Sequence, residues 1–199
     1  MALDHDIEAT LRRAGYVRIA GLDEAGRGPL AGPVVAAAVI FPEGHAPIAG
    51  IDDSKKIKEA RREELFEQIC ASASWAIAEV SAAEIDEMNI LRASLEAMRR
   101  AMAEISPDYL LIDGNQPVPC EVRQESLVKG DSRCYSIAAA SILAKVHRDR
   151  LLVELDAQFP HYGFAGHKGY PTKSHREAIA RHGPCPEHRR TFRGVKEFL

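Results

Sequence analysis

The sequence predicts an α/β fold: a mixed sheet flanked by helices, with a small helical segment at the C-terminal end. Three observations carry this prediction. Two short apolar runs bounded by Gly and Pro lie close together near the start, as in a hairpin. Apolar spacing then switches repeatedly between helical and strand periods, the pattern of α-crossovers joining strands of one sheet. A long Ala-rich helical stretch follows, suited to close packing on that sheet.

Taken in order, Val17–Asp23 and Val34–Phe41 read as buried strands around a loop at Glu24–Pro33. Lys58–Ala73 sets Leu65, Phe66 and Ile69 on one face with charges opposite, an amphipathic helix. Trp75–Val80 follows a small-residue break and reads as a third strand. Asn89–Ile105 repeats apolar residues at helical spacing until Pro107 stops it. Tyr109–Asp113 is a fourth strand ended by Gly114-Asn115, and a short fifth is read around Glu121–Gln124. Ser136–Phe159 is the long helix, ended by Pro160, and Thr172–His182 and Pro186–Leu199 supply one or two more helices. No linker divides the chain, so residues 1–199 are expected to form one domain, with residues 1–15 a variable extension and about 160–199 the helical C-terminal segment.

At 46% hydrophobic and 28% charged residues, the chain is not disordered, and no stretch approaches the ~20 apolar residues of a membrane span. The N-terminus lacks a basic and an apolar signal region, so a cytoplasmic protein without a membrane partner is expected. Cys70, Cys120, Cys134 and Cys185 stand far apart, which predicts four reduced thiols and excludes a Cys-x-x-Cys zinc or redox site. The net charge of −3 hides an uneven split. Residues 1–121 carry 12 basic and 21 acidic side chains, residues 122–199 carry 14 and 8, so the C-terminal third is basic enough to meet a polyanion.

Asp23-Glu24 closes the first strand and runs into Gly26-Arg27-Gly28. Adjacent carboxylates repel and favour a cation between them, although the pair alone reads more readily as a solvated acidic turn. Asp113 ends another apolar strand, and ligands of open α/β sheets gather beyond strand carboxyl ends. Asp131 follows Gly130 just ahead of the long helix. Four carboxylates without Cys or His favour Mg²⁺ or Mn²⁺, and two such ions about 3.5–4 Å apart suit phosphodiester hydrolysis, with Asp23 as the bridging carboxylate. Gly26-Arg27-Gly28 allows close backbone approach to a ligand or is a plain hairpin loop. Asp53-Ser54-Lys55-Lys56 offers donors for phosphate or is a capped helix start. Tyr170, in Gly169-Tyr170-Pro171, stacks on a sugar or base, or packs at the turn. His188-Arg189-Arg190 reads as a solvated helix face or a phosphate contact. His147 reads as a neutral histidine on a polar helix face, and Asp149 as support for the site or the ion-pair partner of Arg148 or Arg150.

Together, Asp23-Glu24-Ala25-Gly26-Arg27-Gly28, Asp53-Ser54-Lys55-Lys56, Asn89-Ile90, Ile112-Asp113-Gly114, Lys129-Gly130-Asp131, the run from Ser136 to Val146, Gly169-Tyr170-Pro171-Thr172 and His188-Arg189-Arg190-Thr191-Phe192 resemble bacterial ribonuclease HII, the type 2 ribonuclease H, in order over about residues 16–195. The resemblance implies a ribonuclease H-like fold with a five-stranded mixed sheet. It implies a monomer that hydrolyses the RNA strand of RNA–DNA hybrids and incises 5′ to single ribonucleotides in duplex DNA, leaving 3′-hydroxyl and 5′-phosphate ends. Carried over, Asp23, Glu24, Asp113 and Asp131 are the catalytic carboxylates and hold two Mg²⁺ or Mn²⁺ ions. Gly26, Arg27 and Gly28 read the ribose 2′-hydroxyl. Tyr170 contacts the following deoxyribonucleotide, and Ser54, Lys55 and Lys56 hold phosphates. Two competing readings are a non-catalytic hybrid-binding protein and a DNA-only nuclease of the same fold; the second has no 2′-hydroxyl to read.

Overall fold

The computed structural model describes residues 6–199. The chain runs α1 (Asp6–Arg13), β1 (Ile19–Ala25), β2 (Val34–Ile40), α2 (Glu59–Ser72), β3 (Ser74–Val80), α3 (Ala82–Met88), α4 (Ile90–Ile105), β4 (Tyr109–Asp113), β5 (Arg123–Leu127), a 3₁₀ turn (Gly130–Ser132), α5 (Tyr135–Gln158), α6 (Phe164–His167), α7 (Lys173–His182) and a last 3₁₀ turn (Lys196–Phe198). The five strands form one mixed sheet in the order β3-β2-β1-β4-β5. β1 pairs antiparallel with β2 and parallel with β4, so the hairpin and the crossover meet on one strand.

Each face of the sheet buries its own core. On one side Ala20, Leu22, Ala36 and Ala38 pack against Ala97 and Met98 of α4. On the other, Val35, Ala37 and Val39 meet Phe66 of α2 and Ala139 and Leu143 of α5. Every residue of β2 is buried, as a continuous apolar run predicts when both faces are covered. The start of α5 lies hard on β1: a Cβ at Gly21 would sit 2.2 Å from the Ser136 carbonyl carbon, so only glycine admits the helix there. A third cluster, including Leu30, Leu152, Phe164, Ile179 and Val195, fastens the C-terminal segment to the loop after β1.

Several element expectations are corrected. β1 begins two residues later and continues through Asp23, Glu24 and Ala25, and β5 lies at Arg123–Leu127. α3 was not foreseen; Ser81 and Glu84 form a reciprocal capping box that starts it. Asn89 ends α3 at φ 73° and caps α4 by accepting from Leu91 and Arg92. Pro186–Leu199 is not a helix apart from the final 3₁₀ turn, because Arg189 and its neighbours bond inward to the loop after β1. Of the stretch 1–15, residues 1–5 lie outside the described residues. α1 brings Glu8 to the start of α5, where it accepts from the Ser136 amide at 2.9 Å and supplies the capping acceptor that Cys134 does not. All four cysteines are free, and no described helix is long and apolar enough to cross a membrane.

Candidate active site

Strand parity decides which carboxylates meet. In β1, Ala20 and Leu22 point to the α4 side and Ile19 packs with Ile137 on the α5 side. Asp23 therefore faces α5 and Glu24 faces α4. In β4, Leu111 lies on the α5 side, which puts Asp113 there too. β1 and β4 are neighbouring parallel strands in register, Leu22 beside Ile112, so the two aspartates that follow lie side by side. Asp131 arrives from the 3₁₀ turn ahead of α5. The Gly130 amide donates to Asp113 Oδ1 at 2.6 Å and the Asp131 amide to the same oxygen at 3.4 Å, fixing that turn against β4. One oxygen from each of Asp23, Asp113 and Asp131 lies within 4.8 Å of the others. Glu24 is not in this group. It sits across the strand, where its carboxylate takes Arg27 at 3.3 Å.

These groups are only partly relieved electrostatically. Burial, then repulsion from Glu24 and Asp113, holds the Asp23 carboxyl well above the usual carboxylate range. Burial and Asp113 raise Asp131, against the pull of Lys55 at 3.5 Å. Burial also raises Glu24, with Arg27 opposing. Burial lowers Lys55, but Asp131, Asp23 and Asp53 outweigh it and leave the ammonium above its ordinary value. The donor set is all oxygen, which fits a hard divalent cation. Oxygens sharing one Mg²⁺ lie up to about 4.2 Å apart at bond lengths near 2.1 Å, so three oxygens within 4.8 Å of one another are close to the spacing that an ion requires.

Beside the carboxylates opens a cleft of about 460 Å³ lined by Asp23, Glu24, Gly26-Arg27-Gly28, Ser54, Lys55 and Tyr170. Of the sequence-predicted groups, Asp113 and Asp131 stand beside this lining in the carboxylate cluster, and Lys56 lies outside it, paired with Asp52 at 3.0 Å. Tyr170 is 45% exposed, so it is not packed away at its turn. Gly26 has φ 100°, and a Cβ there would lie 2.1 Å from Arg148 Nε, so the loop requires glycine at this point.

Four lining residues carried no signal in composition or spacing: Arg62, Ser141, Lys145 and Arg148. Arg62 donates to the carbonyls of Ser54 (3.1 Å) and Ile57, holding the Ser54-Lys55 turn against the cleft. Asp149 pairs with Lys145 at 2.7 Å and faces Arg62 at 3.9 Å, which corrects the expectation of Arg148 or Arg150. Arg150 instead reaches Glu63 and Glu67 of α2. His147 bonds Glu79 at 2.7 Å on the flank of α5, away from the cleft lining. His188 and Arg189 form neither a solvated face nor a phosphate contact, for both are buried. His188 belongs to an ordered chain. His175 Nδ1 must donate to the Tyr170 carbonyl (2.9 Å), so its Nε2 accepts from His188 Nε2 (3.0 Å), and His188 Nδ1 accepts from the Cys185 amide (3.0 Å).

Comparison with known proteins places the chain in a family. The family model of ribonuclease HII matches residues 20–195. A ribonuclease HII of Syntrophotalea carbinolica is 59% identical over 195 residues, covering 96% of this chain and 93% of its own. The ribonuclease H2 of Pyrococcus horikoshii OT3 superposes with a TM-score of 0.75 at 28% identity, over 91% of this chain and 96% of that one. Bst-RNase HIII in complex with Mn²⁺ shares the fold, with a TM-score of 0.68 at 19% identity over 94% and 71% of the two chains. A match across almost the whole sequence, joined to a ribonuclease H-like sheet with carboxylates at its strand ends, means that the chain belongs to the ribonuclease HII family.

Proposed function

We propose that this protein is a metal-dependent endoribonuclease that hydrolyses the RNA strand of RNA–DNA hybrids and incises 5′ to single ribonucleotides in duplex DNA, leaving 3′-hydroxyl and 5′-phosphate ends. The observation that carries the reading is the convergence of Asp23, Asp113 and Asp131 within 4.8 Å beside a cleft rich in hydrogen-bond donors. A family relationship to ribonuclease HII supplies the substrate class. Two Mg²⁺ or Mn²⁺ ions, when bound, would activate the attacking water and stabilise the departing oxygen; Mn²⁺ is the ion in the related Bst-RNase HIII complex. Asp23, Asp113 and Asp131 would hold these ions, with Glu24 at the same strand end.

The chain's own residues then position the substrate. Gly26, Arg27 and Gly28 present backbone donors to the ribose 2′-hydroxyl, the group that distinguishes RNA from DNA at one nucleotide. Tyr170 offers its exposed ring to the deoxyribonucleotide that follows. Ser54 and Lys55, with Lys56 beside them, hold phosphates, and the neighbouring Arg62 and Lys145 add positive charge. Cleavage of matched duplexes with one, four or no ribonucleotides, in Mg²⁺ and in Mn²⁺, tests this. Ribonucleotide-dependent incision lost in Asp23→Asn is expected; equal cleavage of the all-DNA duplex, or normal turnover by the variant, would overturn it.

A further inference from the structure

Two guanidinium groups lie buried behind the Gly26–Pro33 loop, with backbone carbonyls where buried arginines usually find carboxylates. Arg189 is fully buried and Arg148 nearly so. Arg189 spends all five N–H donors on the loop: Nε on Gly32, one terminal nitrogen on Arg27 (3.1 Å) and Pro29 (2.8 Å), the other on Gly26 (2.6 Å) and Gly32 (2.9 Å). Arg148 takes Pro33, Ala31 and Lys168, each at 3.0 Å, and so ties the loop to the segment bearing Tyr170. The Leu30 carbonyl accepts from the Arg189 amide at 2.8 Å. Nearly every carbonyl from Gly26 to Pro33 is thereby turned inward.

The amides behave differently. Among the described residues, the N–H groups of Arg27 and Gly28 find no carbonyl acceptor, and both residues line the cleft. A loop whose carbonyls are held from behind by cations exposes its donors in front, the arrangement that suits an oxygen-rich ligand. Burial without a carboxylate is costly: desolvation pushes Arg148 down to about 10 and Arg189 to about 9, so both stay charged at neutral pH. Hydrophobic side chains could fill the same space at less cost, which argues that the fork geometry is kept for the loop.

We infer that Arg148 and Arg189 are positioning residues for substrate recognition: they fix the carbonyls of the Gly26–Pro33 loop so that the Arg27 and Gly28 amides meet the ribose at the cleavage site. This rests on the proposed reading of Gly26-Arg27-Gly28. Arg189→Lys keeps the charge and loses the planar fork. With full-length protein, the affinity for a single-ribonucleotide duplex and for its all-DNA counterpart is measured by fluorescence anisotropy, with KM and kcat for the first. The preference for the ribonucleotide duplex is expected to fall about tenfold and KM to rise about as much, the loss of roughly one well-made polar contact, while all-DNA affinity holds. Arg148→Lys, which keeps the Arg189 contacts, should give a smaller change in the same direction.

A merely structural role would lower kcat through the active fraction and leave KM and the preference unchanged; that result overturns the inference. Failure of both variants to fold would overturn it equally, marking the two arginines as general struts. If wild-type protein itself shows no ribonucleotide preference, the underlying reading fails first, and the two failures are thereby separated.

Discussion

Replacing Asp23 by asparagine should stabilise the metal-free protein while abolishing its activity. Three carboxylates have oxygens within 4.8 Å of one another, and at an effective dielectric near 20 each ionised pair at that distance repels by about 3.5 kcal/mol. Asp23 takes part in two such pairs. Burial and its neighbours already raise the Asp23 carboxyl toward its neutral form, which drains much of that repulsion. A net gain of about 1 kcal/mol is a conservative remainder, and for a chain of this size it lifts Tm by about 2–4 °C. The amide keeps the shape of the side chain and its oxygen still accepts from the Glu24 N–H, now at 2.7 Å.

Thermal melts of wild type and Asp23→Asn in EDTA and in millimolar Mg²⁺ provide the assay. In EDTA the variant should melt higher. In Mg²⁺ the order should narrow or reverse, because an ion that binds the folded wild type at a hundredfold excess over Kd adds about 2.7 kcal/mol. A variant melting at or below wild type in EDTA would refute the electrostatic reasoning. So would equal Mg²⁺ shifts in the two proteins, for then Asp23 does not help to hold the ion.

Gly26→Ala places a methyl 2.1 Å from Arg148 Nε on a backbone at φ 100°. It should cost at least about 2 kcal/mol and lower Tm by several degrees; a wild-type melt would contradict the packing described. Burial presses His175 and His188 down to about 4. Since the unfolded imidazoles take up protons near 6.5, the unfolded chain binds more protons between those values, and stability falls as pH drops through that window, by up to about 3 kcal/mol for each group. Urea unfolding at stepped pH measures this, and His175→Gln should flatten the profile. Lys55→Ala should leave stability within about 0.5 kcal/mol, because the ammonium is largely exposed, yet weaken substrate binding and reduce the log–log salt slope by about 1. An unchanged slope would remove Lys55 from the phosphate contacts.

Much of the scaffold was legible because burial leaves a period in the sequence. β2, β4, α4 and α5 carry apolar spacing that matches their faces, and Pro and Gly mark their ends. Asp23 and Asp113 were found by the same logic, as charges closing apolar strands. What periodicity hid was the opposition of Asp23 and Glu24. Ending β1 at Asp23 made the pair look like a shared turn, whereas a strand that continues to Ala25 must send adjacent side chains to opposite faces. α3 was missed for want of an apolar stripe, although Ser81 and Glu84 spelled its capping box. Arg189 was misread as exposed because nothing in a linear pattern distinguishes a solvated guanidinium from one satisfied by distant carbonyls.

That misreading also changes the meaning of the charge split along the chain. The basic C-terminal third looked like a phosphate-gripping surface, yet many of its cations are already engaged: Arg148 and Arg189 on carbonyls, Arg150 on α2, Lys145 on Asp149, Lys168 on the Ala165 carbonyl. Three of the cations that line the cleft, Arg27, Lys55 and Arg62, come from the acidic part of the sequence. Segment charge therefore says little about where a polyanion lands, because electrostatic effect follows position and solvent exposure. The carboxylates at the strand ends and the guanidinium groups behind the loop are opposite charges that do not neutralise each other: the structure pairs Asp131 with Lys55 and Glu24 with Arg27, and gives the two buried arginines to backbone dipoles. That separation leaves the carboxylates to a cation and the loop amides to an oxygen-rich ligand, and the Asp23→Asn melt measures the carboxylate share of its cost.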